Sequence, residues 1–351
     1  MELTFYGLAD ASAVVFLDAK HFVVADDESN VLRTYSIDKP KGPVSTRNLN
    51  KFLDIDPSSP ESDIEAAARV GDRIYWISSH GRNKSGKIRA SRYRFFCTKI
   101  SLAKHGKKTS APGLIPVGRP CKTLIHQLIK HPCRAGRLLI STNQLNASLP
   151  KKERKKLAPK KQGLNIEGLM YYKPNKSLLI GLRNPLLKSS DQNNNAIVIE
   201  LLNPSEIIDK NSPAKFGNIF SWDLNNRGIR AMQYDIEQDT YYLVAGPIDS
   251  ETNFALYQWD GQFKTQPVQR HKWPQSYRQF KPEAIAGPAV SNDLWFFSDD
   301  GTLEIPVNSP SECKENELLK NNMCPNKYLL DNARKSYRVQ IITPDDFIVE
   351  R

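Results

Sequence analysis

The sequence predicts a single all-β domain built as a β-propeller, and a repeated two-strand pattern is the main reason. In each copy a polar residue opens an apolar strand, a turn follows, and a second apolar strand ends at a small or charged residue. A period of about 50 residues with two strands in each unit is typical of blades arranged around one axis. The five copies open at Ser12, Glu65, Glu167, Arg230 and Glu283, which are 53, 102, 63 and 53 residues apart.

Further apolar strands follow each copy of the pattern. The second strand of the copy that opens at Glu65 contains Ile74, Tyr75, Trp76 and Ile77, so it is apolar on both faces. Such a strand fits a sheet that is packed between two neighbouring sheets. The last outer strand is expected to complete the final blade, and it is a candidate to close the ring against the first blade. The outer strands are predicted at residues 31–37, 93–100, 196–201, 254–259 and 337–342.

The gap between the second and third copies is nearly two periods long, so both five and six blades fit the sequence. Residues 122–129 place apolar side chains at helical spacing, whereas residues 137–141 have the composition of a strand. We therefore expect one propeller domain over residues 1–351, with a basic, partly helical insertion at about 103–163.

The positive charge of the chain is concentrated in one block. Residues 80–161 contain 22 Lys and Arg against one acidic residue, Glu153, whereas the rest of the chain has a net charge of −9. Such a block could attract an anionic membrane surface, lipopolysaccharide, polyphosphate or nucleic acid, or it could be a solvated insertion without a partner. Nucleic acid is not expected, because Tyr93, Phe95 and Phe96 have the pattern of a blade strand rather than of a stacking surface.

The cysteines and the first residues of the chain bear on the cellular compartment of the protein. Cys313 and Cys324 enclose ten residues and Cys121 and Cys133 enclose eleven, so both pairs could form disulfides in an oxidising compartment, with free thiols as the alternative. The first ten residues do not have the pattern of a signal peptide, and no apolar run is long enough to span a membrane. We expect a mature periplasmic or secreted monomer, with a cytoplasmic protein as the alternative.

Strand geometry turns the repeat into a predicted site. In an antiparallel pair, the start of the first strand and the end of the second strand lie at the same end of the sheet. The residues that open and end the five copies are therefore expected to share one face around the central channel. The charged residues at the ends of the second strands are Asp26, Asp27, His80, Arg183, Asp299 and Asp300.

Carboxylates that converge on one face need a compensating cation, because like charges held close together destabilise each other. Arginines could pair with the glutamates in a structural ring. Alternatively, a hard cation such as Ca²⁺ could be bound by carboxylates while arginines hold an anionic oxygen ligand. For the second case the predicted metal ligands are Glu65, Glu167, Glu283, Asp26 and Asp27.

The other candidates in this prediction are basic residues. Arg183, Arg230 and Arg82 would orient the anion, and His80 would transfer protons. A structural hydrogen bond at the end of a strand is the alternative role for His80. The sequence contains none of the motifs of serine hydrolases, P-loop proteins, zinc proteases or dinucleotide-binding enzymes.

The sequence also resembles a bacterial family that is known as a domain of unknown function. The most specific part of the resemblance is the run from Ser79 to Asn83, and the Glu-Gly motif of this family occurs at Glu167 and Gly168. That motif is similar to the one in esterase-like phytases and, more remotely, in calcium-dependent β-propeller phytases. The second copy has Ala66 after Glu65 instead of glycine. The matching segments are 10–13, 23–33, 63–69, 74–87, 165–169, 180–185 and 228–230.

Two functional hypotheses follow. The first is a propeller whose charged face binds a metal ion and a phosphorylated or other anionic small molecule, with phosphoesterase activity of the kind that the resemblance implies. The second is a non-catalytic propeller that docks a partner or an anionic surface through residues 80–161. The fold alone does not choose between them.

Overall fold

The chain forms a five-bladed β-propeller in a computed structural model that describes residues 1–101, 111–131, 139, 148–188, 193–249, 251–274, 279–288 and 290–347. Each blade is an antiparallel sheet. The strand that lies nearest the axis is the first strand of the repeated two-strand pattern. These inner strands contact one another in a closed ring. The predicted all-β propeller is confirmed, and the choice between five and six blades is decided in favour of five.

Blades 1 and 2 each contain four strands in sequence order. Blade 1 consists of β2 (Ala13–Phe16), β3 (His21–Ala25), β4 (Val31–Ser36) and β5 (Ser45–Asn48). Blade 2 consists of β6 (Ile64–Val70), β7 (Arg73–Ser78), β8 (Phe95–Ser101) and β9 (Gly113–Cys121).

Blades 3 and 4 follow the same order, with one extra short strand in blade 3. Blade 3 consists of β10 (Asn165–Tyr172), β11 (Ser177–Asn184), β12 (Leu187–Lys188), β13 (Asn194–Leu201) and β14 (Phe216–Trp222), and both β12 and β14 pair with β13. Blade 4 consists of β15 (Gly228–Asp235), β16 (Thr240–Gly246), β17 (Ala255–Trp259) and β18 (Val268–Lys272).

Blade 5 joins the two ends of the chain. The outermost strand is β1 (Glu2–Tyr6), which pairs antiparallel with β23 (Ser336–Ile342). The inner strands are β19 (Pro282–Ala286) and β20 (Leu294–Ser298). The strand predicted at 337–342 therefore completes the last blade, and the N-terminal strand closes the ring by pairing with it.

A disulfide-linked excursion lies between β20 and β23. It contains the two-stranded sheet of β21 (Glu304–Pro306) and β22 (Met323–Pro325), and Cys313 and Cys324 are bonded. Cys121 and Cys97 carry free thiols, whereas Cys133 lies outside the described residues.

The expected insertion is only partly separate from the blades. Its first described part, Gly113–Cys121, is the outer strand of blade 2. The predicted helix at 122–129 is present as α2 (Leu124–Lys130), whereas residues 137–141 lie outside the described part of the chain except for Leu139. None of the helices in the described ranges is long and apolar enough to cross a bilayer. The α-helices whose bounds lie within the described residues are α1 (Asn50–Leu53), α2 (Leu124–Lys130), α3 (Lys151–Lys156) and α4 (Pro204–Lys210).

The core consists of apolar layers between neighbouring blades. One layer joins Trp76 and Phe96 of blade 2 to Val23 of blade 1, and another joins Phe22 of blade 1 to Phe297 of blade 5. All of these side chains are buried. The second strands are thus packed on both faces, as their composition predicts, and the stacked layers hold the inner strands around the axis.

Candidate cation site in the central channel

The inner strands of blades 2 to 5 each contain a β-bulge at the residue that opens the repeated pattern. In β6 the pairing shifts between Ile64 and Ala66, so that Glu65 is the extra residue. A bulge interrupts the alternation of side chains and can re-aim one of them, here toward the axis. The same shift occurs at Glu167 in β10, Arg230 in β15 and Glu283 in β19.

Blade 1 has no such bulge. Its inner pair runs in unbroken register from Ala13 to Phe16, and Ser12 takes the position before the strand. Ser12, Glu65, Glu167 and Glu283 all line the channel, which is otherwise bordered by small and apolar side chains. The prediction that the opening residues of several blades meet around one axis agrees with this arrangement.

On the side of blades 3 and 4, the charged groups neutralise one another. Glu167 is buried and contacts two arginines, Arg183 at 2.8 Å and Arg230 at 2.7 Å, although the second contact lacks hydrogen-bond geometry. Asn165 donates a further hydrogen bond to Glu167 at 2.5 Å. Arg230 also pairs with Glu283 of blade 5. We call this set the paired half of the channel face.

The two arginines are also tied to the backbone. Arg183 donates to the carbonyl oxygens of Pro247 at 3.2 Å and Asp249 at 2.6 Å, and Arg230 donates to that of Pro247 at 3.4 Å. Burial, followed by repulsion from Arg183, lowers the pKa of Arg230 to about 10, so Arg230 remains charged at neutral pH. This arrangement corresponds to the first alternative, in which arginines and glutamates pair in a structural ring. Glu167, Arg183 and Arg230 therefore all have partners inside the protein.

On the side of blades 5, 1 and 2 several carboxylates meet, and in the described part of the chain Glu283 alone among them has an arginine partner. One oxygen each from Asp10, Glu283 and Asp299 lies within 4.8 Å of the other two. Within the described residues, Asp10, Asp27, Glu65 and Asp299 form no ion pair, and Glu65 and Asp27 accept no side-chain hydrogen bond. We call Asp10, Asp27, Glu65 and Asp299 the unpaired half.

The unpaired carboxylates stand beside paired ones in the sequence. Asp26 pairs with Arg33 at 2.9 Å, next to Asp27. Asp63 pairs with Arg92 at 2.7 Å, two residues before Glu65. In blade 5 the paired neighbour of Asp299 is Asp300, which Arg338 holds at 2.7 Å. In each of these three blades, one of the two neighbouring acidic residues forms an ion pair within its own blade. The other acidic residue belongs to the unpaired half.

Burial and mutual repulsion raise pKa values in the unpaired half. The pKa of Asp10 is well above its usual range because of burial and then the charges of Asp299 and Asp27. Burial and the charge of Asp63 do the same to the pKa of Asp27. The pKa of Glu65 is also raised well above its usual range, by burial first and then by Asp63. These groups disfavour their own ionisation unless a cation joins them.

One oxygen of Asp27 is notable in this cluster. Asp27 Oδ1 is buried and has no hydrogen-bond partner in the described part of the protein. A buried carboxylate oxygen without a donor costs free energy. A cation would supply the missing partner.

His80 and Arg82 lie in the loop between β7 and β8, and they contact residues of that loop and its ends. His80 is fully buried, its Nδ1 lies 2.8 Å from the carbonyl oxygen of Ser78, and its ring packs edge-on against Tyr93. Burial lowers its pKa to about 4, so it is neutral at pH 7. Arg82 donates to the carbonyl oxygen of Gly86 at 2.9 Å in the same loop. The full burial of His80 and its contacts with Ser78 and Tyr93 favour its structural role.

The structure adds Asp10 and Asp299 to the candidate ligands and separates the predicted ones. Glu65, Asp27 and Glu283 lie with them, although Glu283 also pairs with Arg230, whereas the carboxylates of Glu167 and Asp26 are held by arginines. Asp299 was recognisable as a residue at the end of a second strand. Asp10 precedes the first copy of the repeat and forms a bridge with Asp299, so no periodic signal marks it.

No protein-family model and no curated protein matches the chain. Among solved structures it is similar to virginiamycin B lyase from Staphylococcus aureus, with 9% identity and a TM-score of 0.37 over 97% of this chain and 98% of that one. It is also similar to a GH43 β-1,3-galactosidase, with 9% identity and a TM-score of 0.42 over 95% and 90%. A glucose dehydrogenase matches with 10% identity and a TM-score of 0.41 over 85% and 96%. Likeness at this level carries no conclusion about function.

Proposed function

We propose that this propeller binds a hard divalent cation, Ca²⁺, in the unpaired half of its channel and presents it to a phosphorylated small molecule. One observation carries the proposal: carboxylate oxygens of Asp10, Glu283 and Asp299 lie within 4.8 Å of one another. Oxygens that bind one Ca²⁺ each lie about 2.3–2.6 Å from it, so two of them are separated by at most about 5 Å.

The chemistry of the donors supports Ca²⁺ over softer metals. The candidate ligands are all carboxylates, and carboxylate oxygen suits Ca²⁺ and Mg²⁺, whereas zinc and copper sites favour histidine and cysteine. The free thiols of Cys97 and Cys121 lie in an apolar core layer, and His80 is buried against Tyr93. Ca²⁺ accepts six to eight oxygens in flexible geometry, which fits side chains from three different blades.

The bound cation, rather than an arginine, would hold the anion. Three carboxylates supply at most six oxygens, and Asp27 and Glu65 add others from blades 1 and 2. Because Arg183 and Arg230 already have partners, the predicted role of arginine in orienting an anion passes to the cation. A cation that ligates a phosphate oxygen also neutralises charge that develops during hydrolysis, so a phosphoesterase is the reaction this site favours.

Thermal unfolding with and without Ca²⁺ tests the binding step. Wild-type protein that has been freed of metal with EDTA should gain several degrees in melting temperature when Ca²⁺ is added, since a ligand that binds only the folded state stabilises it. Asp299→Asn and Asp27→Asn should lose most of this gain. Glu251→Gln is the matched control, because Glu251 is an exposed carboxylate that follows the second strand of blade 4.

Phosphate-ester turnover tests the second step. Ca²⁺-loaded wild type should release phosphate from a phosphate monoester, and Asp299→Asn should not. A melting temperature that no divalent cation changes would rule out the cation site. A clear rise in melting temperature with Ca²⁺, without release of phosphate, would support the cation site and rule out the esterase activity.

A further inference from the structure

A cap of lysines lies on the same face of the propeller as the channel opening. We define the basic cap as residues 84–89 and 151–161. Its lysines are exposed, and the only acidic residue in the two segments is Glu153, which pairs with Lys156 at 2.8 Å. The lysines of the basic cap are Lys84, Lys87, Lys151, Lys152, Lys155, Lys156, Lys160 and Lys161.

Strand direction places the basic cap on this face. The first segment belongs to the loop that leaves the end of β7, and the second leads into the start of β10. Both points lie at the end of the blades where Glu65 and Glu167 stand. Asn184, at the end of β11, donates to the carbonyl oxygens of Lys161 at 3.0 Å and Gly163 at 2.8 Å, and so fixes the second segment above blade 3.

The two segments of the basic cap are packed together. A Cβ atom on Gly86, whose φ is +75°, would lie 1.9 Å from the carbonyl oxygen of Arg154, so only glycine fits between the loop and α3. Arg82 is buried under the loop and bonds the carbonyl oxygen of Gly86. The lysines therefore project from an ordered scaffold, although the chain outside residues 80–161 is net negative.

The composition of the basic cap favours one kind of partner. Lysine is a compact point charge, whereas recognition of individual phosphates favours the planar fork of arginine. In the described part of residues 80–161, no Phe, Tyr or Trp is exposed, since Tyr93, Phe95 and Phe96 are buried, so nucleic-acid bases have no side chain to stack on. Ile88 is 39% exposed next to Lys87 and adds an apolar contact.

We propose that the basic cap is a docking surface for a bilayer that contains anionic phospholipid. Each lysine close to such a surface adds to the attraction within a Debye length, and a cluster of this size is typical of peripheral binding. Docking through the basic cap turns the channel opening toward the headgroups. The inference does not depend on the cation site.

Vesicle sedimentation in EDTA tests the proposal without any contribution from a channel cation. Wild type should bind vesicles of phosphatidylcholine with phosphatidylglycerol, should not bind pure phosphatidylcholine, and should be released by salt. The variant with Lys151, Lys152, Lys155 and Lys160 all changed to Gln should bind at least about tenfold more weakly.

A second quadruple variant has the same net charge and serves as the control. Lys39, Lys41, Lys176 and Lys210 are exposed and lie in connections at the opposite ends of the blades, and changing them to Gln should leave vesicle binding within about twofold. Equal weakening by both variants, or no weakening by the first, would overturn the proposal. Tighter binding of wild type to duplex DNA than to the anionic vesicles at the same salt concentration would overturn it as well. Equal melting temperatures of the two variants check that both are folded.

Discussion

The two halves of the channel face are built from the same repeated position but handle charge in opposite ways. In the paired half, Glu167 has two arginines around it, and every one of these groups is buried. In the unpaired half, Glu65 occupies the equivalent bulge of blade 2, and no arginine in the described part of the chain forms an ion pair with it. The repeat therefore sets where side chains point, whereas the partner on the next strand or blade decides whether a residue stabilises the fold or stays available to a ligand.

Glu283 lies at the boundary between the halves. It pairs with Arg230 of blade 4 and also belongs to the carboxylate cluster with Asp10 and Asp299. A cation in the unpaired half would thus be coupled to Arg230 through one shared carboxylate.

The largest expected effect is in the paired half. Arg230→Met leaves Glu283 without its arginine and removes one of the two arginines around the buried Glu167, so we expect the free energy of unfolding to fall by about 3–5 kcal/mol. Urea unfolding followed by tryptophan fluorescence measures the loss.

The matched change in the other half is Glu65→Gln, which removes a charge that has no partner and should cost no stability in EDTA. Adding Glu283→Gln to Arg230→Met should recover part of the loss, because it removes the carboxylate that lost its arginine. Equal losses in Arg230→Met and Glu65→Gln would show that the two halves do not differ as described.

The contrast between the halves also marks what the sequence could predict. Five strand pairs, one charged face and three glutamates at equivalent positions follow from the period and from strand direction. The bulges at Glu65 and Glu167 do not follow, because one extra residue in a strand leaves no distinct pattern in the sequence. The pairing of Asp26 with Arg33, and not of Asp27, depends on which side chain faces the third strand of the blade, and that is decided only by the folded sheet.

A smaller effect is expected at Gly168, which follows Glu167 in the paired half. A Cβ atom there would lie 2.5 Å from Met232 Sδ and 2.6 Å from Ile229 Cγ2 of blade 4. Gly168→Ala should lower the free energy of unfolding by about 1–3 kcal/mol, because the branched Ile229 cannot move aside at no cost. Ala66, at the same place in blade 2, already carries a Cβ atom.

Chemical denaturation of four proteins checks this difference: wild type, Gly168→Ala, Met232→Ala, and the double variant with both changes. The double variant should lose less than the sum of its two single variants, since the second change opens space for the new methyl group. Strict additivity would contradict steric crowding between blades 3 and 4.

The smallest expected effect concerns pH in the unpaired half. Because burial and Asp63 raise the pKa of Glu65 in the folded protein, folding in EDTA carries a penalty at neutral pH that is relieved as the pH falls and the carboxyl takes up a proton. Glu65→Gln lacks this penalty at every pH. The variant should therefore exceed wild type by on the order of 1 kcal/mol at pH 7, and the difference should shrink toward pH 5.

His80 also makes stability depend on pH, but in the opposite direction from Glu65. Because wild type and Glu65→Gln both contain His80, its contribution cancels in the difference between them. Burial lowers the pKa of His80 to about 4, so both proteins lose stability together as the pH falls below about 6.5, when the unfolded chain takes up the proton first. Urea unfolding of both proteins from pH 5 to pH 8 measures the difference. A difference that grows as the pH falls would mean that Glu65 is stabilised as a carboxylate, and the unpaired half would then contain a compensating charge from the protein itself.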